Sequence, residues 1–368
     1  MNSSFQHLMS EATRLTQSGN LQAATAAIQA ALAKNGFPAA AEAAAAHDPN
    51  VIDVQAHVIQ SEAFKTVKDA EPSASAEAVS SSARRATASA ATGQFVSGSH
   101  QEAAGTRDYK LYIPPTSTQE KLPLVVMLHG CTQNPDDFAA GTLMNEAALK
   151  RGFYVLYPAQ GQSTNPSRCW NWFKHNHQKR GRGEPAILAG MTRAVMAKHH
   201  IDPQRVYVAG LSAGGAMAAI MGEAYPDIFA AVGVHSGLPT GAASNMPQAL
   251  SAMKQGSASV SRGKTPPTIV FHGDQDSTVH PSNGTQAAAA SAGKVSPELE
   301  QSRSANGLNY TRQIYRQADG RVLTEHWNVH GAGHAWSGGS PKGSYTEGRG
   351  PDATQEMMRF FLTHKLAS

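Results

Sequence analysis

The segment YVAGLSAGGA, residues 207 to 216, places a serine among small residues at the end of an apolar run. Gly210-Leu211-Ser212-Ala213-Gly214 has the form G-x-S-x-G, and a helix-like stretch follows it. At a sharp strand-to-helix turn, side chains at 210 and 214 would collide with neighbouring backbone, whereas glycine leaves room for an exposed hydroxyl. The pattern is typical of a nucleophilic serine, but alone it also fits an ordinary tight turn.

A nucleophilic serine needs a histidine base and a carboxylate that orients this base. The segment DQDSTVHP follows the apolar run TIVFHG and offers Asp276, with Asp274 as the alternative acid. The segment AGHAWSGG follows HWNVHG and offers His334 in a glycine-flanked loop. The order serine, acid, histidine is that of α/β-hydrolases, so we predict Ser212 as nucleophile, Asp276 as acid and His334 as base.

Three other histidines, His272, His326 and His330, lie in or just after strand-like runs, where a structural role is more common. The chain has no H-E-x-x-H motif and no paired cysteine spacing. We therefore predict no metal and no cofactor.

An oxyanion hole requires two backbone N–H donors near the nucleophile. The segment MLHGCTQN, at the end of an earlier strand-like run, offers the amide of Cys131. The amide of Ala213, directly after the serine, is the predicted second donor.

Short apolar runs alternate with helix-like segments from residue 92 onward, as in a mostly parallel sheet with helices on both faces. The predicted strands are GQFVSG, RDYKLYIPP, LPLVVMLHG, FYVLYP, RVYVAG, FAAVGVHSG, PPTIVFHG and LTEHWNVHG. The predicted helices lie near 136–150, 185–200, 214–225, 282–292 and 352–365. The Ser/Gly-rich segments 239–265 and 293–309 fit either a lid or simple loops.

The segment before residue 92 differs in composition. Residues 1–37 have apolar residues at helical spacing and predict a small helical hairpin. Residues 38–91 are rich in alanine, serine and glutamate and predict a flexible linker. The catalytic domain is accordingly predicted at 92–368.

The bulk composition narrows the class of protein. Hydrophobic residues make up 40% and charged residues 16% of the 368 residues, with a formal net charge of +4. The densest basic cluster, HNHQKRGRG, is short and lies among glycines, so nucleic-acid binding is not expected. No run of 18 apolar residues predicts a membrane span.

The sequence leaves the compartment open. The first 20 residues lack the pattern of a signal peptide, which predicts a cytoplasmic protein. The two cysteines, Cys131 and Cys169, could be buried thiols, a disulfide or a reactive pair. A disulfide would instead indicate an oxidising compartment and allow secretion.

Several separated motifs together resemble the polyhydroxybutyrate depolymerase family of esterases, which includes feruloyl and acetylxylan esterases. They are LHGCTQNPDDF, RCWNWF, GLSAGGAMA, HGDQDSTV and GAGHAWSGG, and the resemblance covers roughly residues 92 to 366. It implies an α/β-hydrolase fold, the triad Ser212, Asp276 and His334, and a disulfide between Cys131 and Cys169 beside the site.

Aromatic side chains near these motifs are candidates for substrate binding. Trp170, Trp172 and Phe173 belong to CWNWF, and Trp336 follows His334 by two residues. Aromatic rings at a cavity mouth can hold a short aliphatic ester or stack on a phenolic acid. We predict Trp170, Trp172 and Trp336 as substrate-binding residues, with a core position as the alternative for each.

The sequence thus predicts a serine esterase that works through an acyl-enzyme on short 3-hydroxybutyrate oligomers or similar polyesters. A feruloyl or acetylxylan esterase is the alternative of the same class. A non-catalytic binding or scaffold protein is the alternative of another class. The apolar face of the N-terminal helices further suggests docking on a hydrophobic granule or polymer surface.

Overall fold

The computed structural model describes residues 92–115, 120–257 and 265–367. The predicted hairpin at 1–37 and the predicted linker at 38–91 lie outside the described residues. None of the described helices is long and apolar enough to cross a membrane.

A ten-stranded sheet runs through the described residues in the order β1-β2-β4-β3-β5-β6-β7-β10-β9-β8. The six central strands of this order, β4, β3, β5, β6, β7 and β10, run parallel to one another. The antiparallel strands β1 and β2 extend the sheet on one side, and β9 and β8 extend it on the other. The sheet strands are β1 Gln94–Glu102, β2 Gly105–Ile113, β3 Leu122–Leu128, β4 Tyr154–Pro158, β5 Ile201–Leu211, β6 Ala231–His235, β7 Thr268–Gly273, β8 Glu298–Arg303, β9 Asn309–Arg316 and β10 Val322–Val329. A short pair, β11 Trp336–Ser337 and β12 Thr346–Glu347, lies apart from this sheet.

Helices connect the strands. They are α1 Pro135–Thr142, α2 Met144–Arg151, α3 Gly183–Lys198, α4 Ala213–Ala224, α5 Met246–Gln255, α6 Ser282–Ala292 and α7 Ala353–Phe361, with a 3₁₀ turn at His175–His177. The parallel strands β3, β4, β6 and β7 are buried along nearly their whole length, as in sheets that helices cover on both faces, and two clusters of buried side chains form the core. The predicted α/β-hydrolase architecture is thereby confirmed.

Two details differ from the sequence prediction. The helix expected at 136–150 is two helices, because Leu143 adopts a left-handed conformation with φ of 55° between them. The segments predicted to form a lid or loops, 239–265 and 293–309, contain α5 and β8. The helix α5 begins at the Asn245 side chain, which accepts a hydrogen bond from the amide of Gln248.

The order of the parallel strands places the ends of β3, β5, β7 and β10 at one edge of the sheet. The loops after these strands carry Cys131, Ser212, Asp276 and His334. In open parallel sheets this carboxyl edge is where ligands bind, so the fold brings the predicted site residues to a common edge.

Candidate active site

Ser212 lies at a strained turn between β5 and α4. Its backbone has φ of 58° and ψ of −119°, which an L-residue adopts only when the surroundings enforce it. A Cβ at Gly210 would collide with the backbone of Gly214, and a Cβ at Gly214 would collide with the carbonyl of Leu128. The two glycines therefore allow the close approach of β5, α4 and the end of β3 that this turn requires.

Asp276 and His334 form a hydrogen-bonded pair at the same edge. His334 Nδ1 lies 2.7 Å from Asp276 Oδ2. The other carboxylate oxygen, Oδ1, accepts the amide hydrogens of Thr278 at 2.9 Å and Val279 at 2.8 Å. An ionised carboxylate can only accept, so Nδ1 of His334 carries a proton and Nε2 of the neutral ring is left as a base.

The environment keeps Asp276 ionised. Burial raises the pKa of this carboxyl, but hydrogen bonds from His272 and His334 and from the Val279 amide outweigh burial, and the pKa lies well below its usual range. An acid held in the charged form fixes the tautomer of the histidine that it faces.

His272 is a neighbour of the acid that sequence reasoning classified only as structural. Its Nε2 lies 2.8 Å from the carbonyl of Val279 and 3.3 Å from Asp276 Oδ2. The ring is fully buried at the end of β7, where it supports the loop that carries Asp276. Its position in the strand before the acid was the available signal.

A cavity of about 260 Å³ opens beside Ser212 and His334. The residues that line it come from the loop after β3, the turn from β5 to α4, the loops after β7 and β10, helix α5 and the segment between β11 and β12. They are Gly130, Cys131, Gln133, Leu211, Ser212, Met253, Thr278, His334 and Tyr345. Both predicted reactive side chains, Ser212 and His334, therefore line the same cavity.

Of the two predicted oxyanion donors, Cys131 lines this cavity and Ala213 directly follows Ser212. Ala213 is the first residue of α4, and a helix leaves its first N–H groups without an intrahelical acceptor. The amide of Gly130 donates to the Gln133 side chain, and the amide of Thr132 donates to the carbonyl of Ser167. The turn is therefore fixed on either side of Cys131.

Gln133 holds this turn to another loop of the cavity wall. Its Oε1 accepts the Gly130 amide at 2.9 Å, and its Nε2 donates to Asp137 at 2.8 Å and to the carbonyl of Ser344 at 3.1 Å. The side chain is buried. Sequence reasoning missed this residue, because its glutamine side chain has no titration or nucleophilic chemistry.

A disulfide joins Cys131 to Cys169, with Cα atoms 4.2 Å apart. The bond connects the turn after β3 to the RCWNWF loop, as the family resemblance implied. A buried carboxylate, Glu184, organises the same loop: it accepts hydrogen bonds from the amide and the Nδ2 of Asn171, both at 2.7 Å. Gln160 also donates to Glu184 and to the carbonyl of Cys169.

The tryptophans predicted to bind substrate are core residues. Trp170, Trp172 and Trp336 are 0%, 5% and 1% exposed, and none lines the cavity beside Ser212. Trp170 Nε1 donates to the carbonyl of His129 and Trp336 Nε1 donates to Thr354, so the indole N–H groups are satisfied inside the protein. The structure therefore corrects this prediction in favour of the core alternative.

The aromatic side chain that does line the cavity is Tyr345. It is 46% exposed, and its ring faces His334 edge-on with ring centres 6.5 Å apart. Its hydroxyl lies 3.2 Å from Thr132 Oγ1. The sequence signal was weak, because Tyr345 follows β10 by a long glycine-rich segment.

The other candidate residues have separate places. His326 is buried in β10, and burial lowers its pKa to about 4, so the ring is neutral. His330 pairs with Asp274 at 2.9 Å, so Asp274 does not contact His334 as the alternative acid would. Within the described residues, no group of three or more histidine, cysteine or acidic side chains is arranged to hold a metal ion.

Comparison with known proteins identifies the family of this chain. The family model described as Esterase PHB depolymerase matches residues 107–293, about half of the chain. The chain belongs to this family. The matched segment 107–293 contains Ser212 and Asp276, and His334 follows it in the chain.

Individual relatives carry related names. The chain is 32% identical over 245 residues to poly(3-hydroxyalkanoate) depolymerase C of Paucimonas lemoignei, covering 60% of this chain and 56% of that protein. It is 27% identical over 270 residues to feruloyl esterase B of Neurospora crassa, covering 67% and 85% of the two chains. The chain spans about half the length of the first curated relatives that it matches.

A solved structure with a similar fold is the acetyl xylan esterase from Aspergillus awamori. It has a TM-score of 0.55 and 22% sequence identity, and it covers 69% of this chain and 93% of that chain. This likeness supports the α/β-hydrolase fold.

Proposed function

We propose that this chain is a serine esterase that hydrolyses short-chain carboxylic esters through an acyl-enzyme. The observation that carries the proposal is that Ser212, which has a strained backbone, and His334, which is hydrogen-bonded to Asp276, line the same cavity of about 260 Å³. A turn that serves only to connect β5 and α4 would not need to expose a serine beside a histidine whose Nε2 is available as a base.

The proposed reaction proceeds in two halves. Ser212 Oγ attacks the ester carbonyl carbon while His334 Nε2 accepts the hydroxyl proton, and the amides of Cys131 and Ala213 stabilise the oxyanion. His334 then donates the proton to the departing alkoxide, which leaves as the alcohol. In the second half, His334 activates a water molecule that releases the acid and restores Ser212.

The size and lining of the cavity favour short acyl groups. Its volume lies below the range of roughly 300–1,000 Å³ that is typical of small-molecule sites. Leu211 and Met253 supply apolar wall, while Thr278 and Tyr345 supply hydroxyl groups. This mixture suits a short acyl chain that carries its own hydroxyl, as a 3-hydroxybutyryl unit does, and the name of the Paucimonas lemoignei relative supports the same class.

The mechanism can be tested with p-nitrophenyl butyrate and a serine-directed phosphonate. We expect hydrolysis, its loss after labelling, and an adduct on Ser212 when peptides are mapped by mass spectrometry. Ser212→Ala should remove both, whereas Ser302→Ala in the exposed strand β8 should remove neither. Absence of turnover and adduct in folded protein would instead favour a non-catalytic binding role for this fold.

Substrate class needs a separate comparison. We expect kcat/KM to be higher for soluble 3-hydroxybutyrate oligomers than for methyl ferulate or acetylated xylo-oligosaccharides. A preference for methyl ferulate would support the feruloyl esterase alternative, and a preference for the acetylated sugar would support the acetylxylan esterase alternative.

Two further parts of the proposal concern partners and compartment. The apolar spacing in residues 1–37 supports docking on a hydrophobic granule, and deletion of residues 1–88 should then abolish co-sedimentation with polyester granules without lowering hydrolysis of soluble esters. The Cys131–Cys169 disulfide supports function in an oxidising compartment. Thiol alkylation in intact source cells before lysis should leave both cysteines unlabelled.

A further inference from the structure

A second acid–histidine pair lies next to the proposed triad. Asp274 Oδ2 lies 2.9 Å from His330 Nδ1, and His330 Nε2 lies 2.8 Å from Thr311 Oγ1. Because the ionised carboxylate only accepts, Nδ1 carries a proton and a neutral ring accepts the Thr311 hydroxyl proton at Nε2. The acid, histidine and hydroxyl thus follow in the same order as in a catalytic triad.

This second chain of hydrogen bonds does not have the setting of a catalytic site. Thr311 lies inside β9, which pairs with β10 on one side and with β8 on the other. Its backbone is engaged in the sheet, whereas an oxyanion hole requires N–H groups that point at the substrate. Asp274 and His330 also do not line the cavity beside Ser212.

The other oxygen of Asp274 contacts the loop that carries the proposed base. Asp274 Oδ1 accepts the amide hydrogen of Gly331 at 2.7 Å. One carboxylate therefore binds two consecutive residues at the start of the loop after β10. Hydrogen bonds from His330 and Gly331 hold the pKa of Asp274 below its usual range although burial raises it, so the carboxylate stays charged.

The loop after β10 needs such a restraint. Only Gly331, Ala332 and Gly333 separate His330 from His334, and Gly331 adopts φ of 78°. Glycine loses more conformational freedom on folding than any other residue, so a glycine-rich loop is costly to hold in one conformation. Backbone bonds from Asp274 to Val329 at 3.1 Å and from Gln275 to Ala332 at 3.0 Å already tie it to the loop after β7.

We propose that Asp274 and His330 form a clamp that holds the loop carrying His334 against the loop carrying Asp276, and that both are positioning residues for the reaction at Ser212. The inference rests on the proposed esterase function. It explains how a glycine-rich loop keeps the 2.7 Å contact between His334 and Asp276. A displacement of about 1 Å at a reacting group can lower the rate about 100-fold.

The test compares Asp274→Ala and Asp274→Asn with the matched control Asp319→Ala in the full chain. Like Asp274, Asp319 accepts a backbone amide hydrogen, that of Arg321 at 3.0 Å, and its other oxygen lies 3.8 Å from the Arg321 side chain, but it lies on the turn between β9 and β10. The readouts are kcat per phosphonate-titrated site, KM for p-nitrophenyl butyrate, the thermal midpoint, and the low-field proton resonance of His334 Nδ1–H.

We expect Asp274→Ala to lower kcat about 10- to 100-fold, with KM changed less than about twofold and the low-field resonance broadened or lost. Asp274→Asn retains an oxygen for the Gly331 amide and should have an intermediate kcat. Asp319→Ala should match the unsubstituted protein.

An unchanged kcat per titrated site together with an unchanged resonance in Asp274→Ala would overturn the clamp. The clamp would also be overturned if total activity fell only as far as the number of phosphonate-titrated sites. In that case fewer molecules would be folded, and each folded molecule would react at the unchanged rate. Failure of the proposed function is distinguishable: the unsubstituted protein would then hydrolyse no ester, and the resonance would still decide whether Asp274 positions His334.

Discussion

Replacing Asp276 by asparagine should trap His334 in the wrong tautomer. Asp276 Oδ1 accepts the amide hydrogens of Thr278 and Val279, whereas Oδ2 faces His334 Nδ1. An asparagine has only one oxygen, and its NH₂ group cannot accept from the two amides. The amides of Thr278 and Val279 can only donate, whereas Nδ1 of His334 can become an acceptor, so the oxygen stays with the two amides and the NH₂ group faces His334.

The consequence for the base follows from this orientation. A donor opposite Nδ1 of His334 requires Nδ1 to be an unprotonated acceptor, and the ring proton then moves to Nε2. Nε2 can no longer accept the proton of Ser212. The same substitution in serine proteases costs about 10⁴ in kcat, which corresponds to an activation barrier higher by about 5 kcal/mol.

The assay is the steady-state hydrolysis of p-nitrophenyl butyrate near pH 7. Asp319→Asn serves as the control, and circular dichroism with a thermal midpoint establishes that each variant is folded. We expect Asp276→Asn to lose about four orders of magnitude in kcat while Asp319→Asn loses none. A folded Asp276→Asn protein that retains a tenth of the activity would refute the tautomer reasoning.

Three further predictions concern the disulfide, Glu184 and Tyr345. Cys131→Ser with Cys169→Ser should lower the free energy of unfolding in urea by about 4 kcal/mol, because the disulfide closes a loop of sequence separation 38. Glu184→Ala should cost about 3–5 kcal/mol at pH 7, since it removes the buried acceptor of several donors. Burial raises the pKa of Glu184, but its hydrogen bonds hold it below the usual value. The stabilisation that the ionised Glu184 carboxylate provides is therefore complete above the pKa of an unfolded glutamate, about 4.3. It should shrink in urea titrations as the pH falls below that value. Tyr345→Ala should raise KM for short esters about tenfold and Tyr345→Phe much less, because the ring lines the cavity.

The parallel core of the fold was predictable because its strands are apolar runs. The strands β3, β4, β6 and β7 are buried along nearly their whole length, which leaves the short hydrophobic signature of a covered parallel sheet. The strand β8 has the sequence ELEQSR, and all its residues are exposed. An exposed edge strand has no buried face to mark it, so the composition of residues 293–309 indicated a lid or a loop rather than a strand.

A tryptophan that is close to a triad residue in the sequence does not necessarily point its side chain into the cavity. Trp336 lies two residues after His334, yet it stacks on His235 and packs edge-on against Phe138 in the core. A residue two positions along a turn can point to either side of the chain. Only the tertiary fold decides whether it faces the cavity, and for this reason Tyr345 rather than Trp336 provides the aromatic wall.

The choice between the two candidate acids depends on strand register. Strands β7 and β10 are parallel neighbours in which Gly273 pairs with Val329, a separation of 56 residues. Asp274 and His330 are also separated by 56 residues, so they continue this register past the strand ends. Asp276 and His334 are separated by 58 residues, and the two additional residues fall within the Gly331–Gly333 segment.

The glycine loop therefore shifts His334 out of the register that pairs Asp274 with His330 and brings it to Asp276. Two adjacent acid–histidine pairs result from one pair of loops, and they differ in surroundings. The side chains of Asp276 and His334 are 0% and 11% exposed, whereas those of Asp274 and His330 are 30% and 39% exposed. A charge–histidine contact is less screened when water is excluded, so the inner pair suits proton transfer and the outer pair suits positioning. The sequence shows the two aspartates and the two histidines, but it does not show which aspartate pairs with which histidine. That assignment requires the register of β7 and β10.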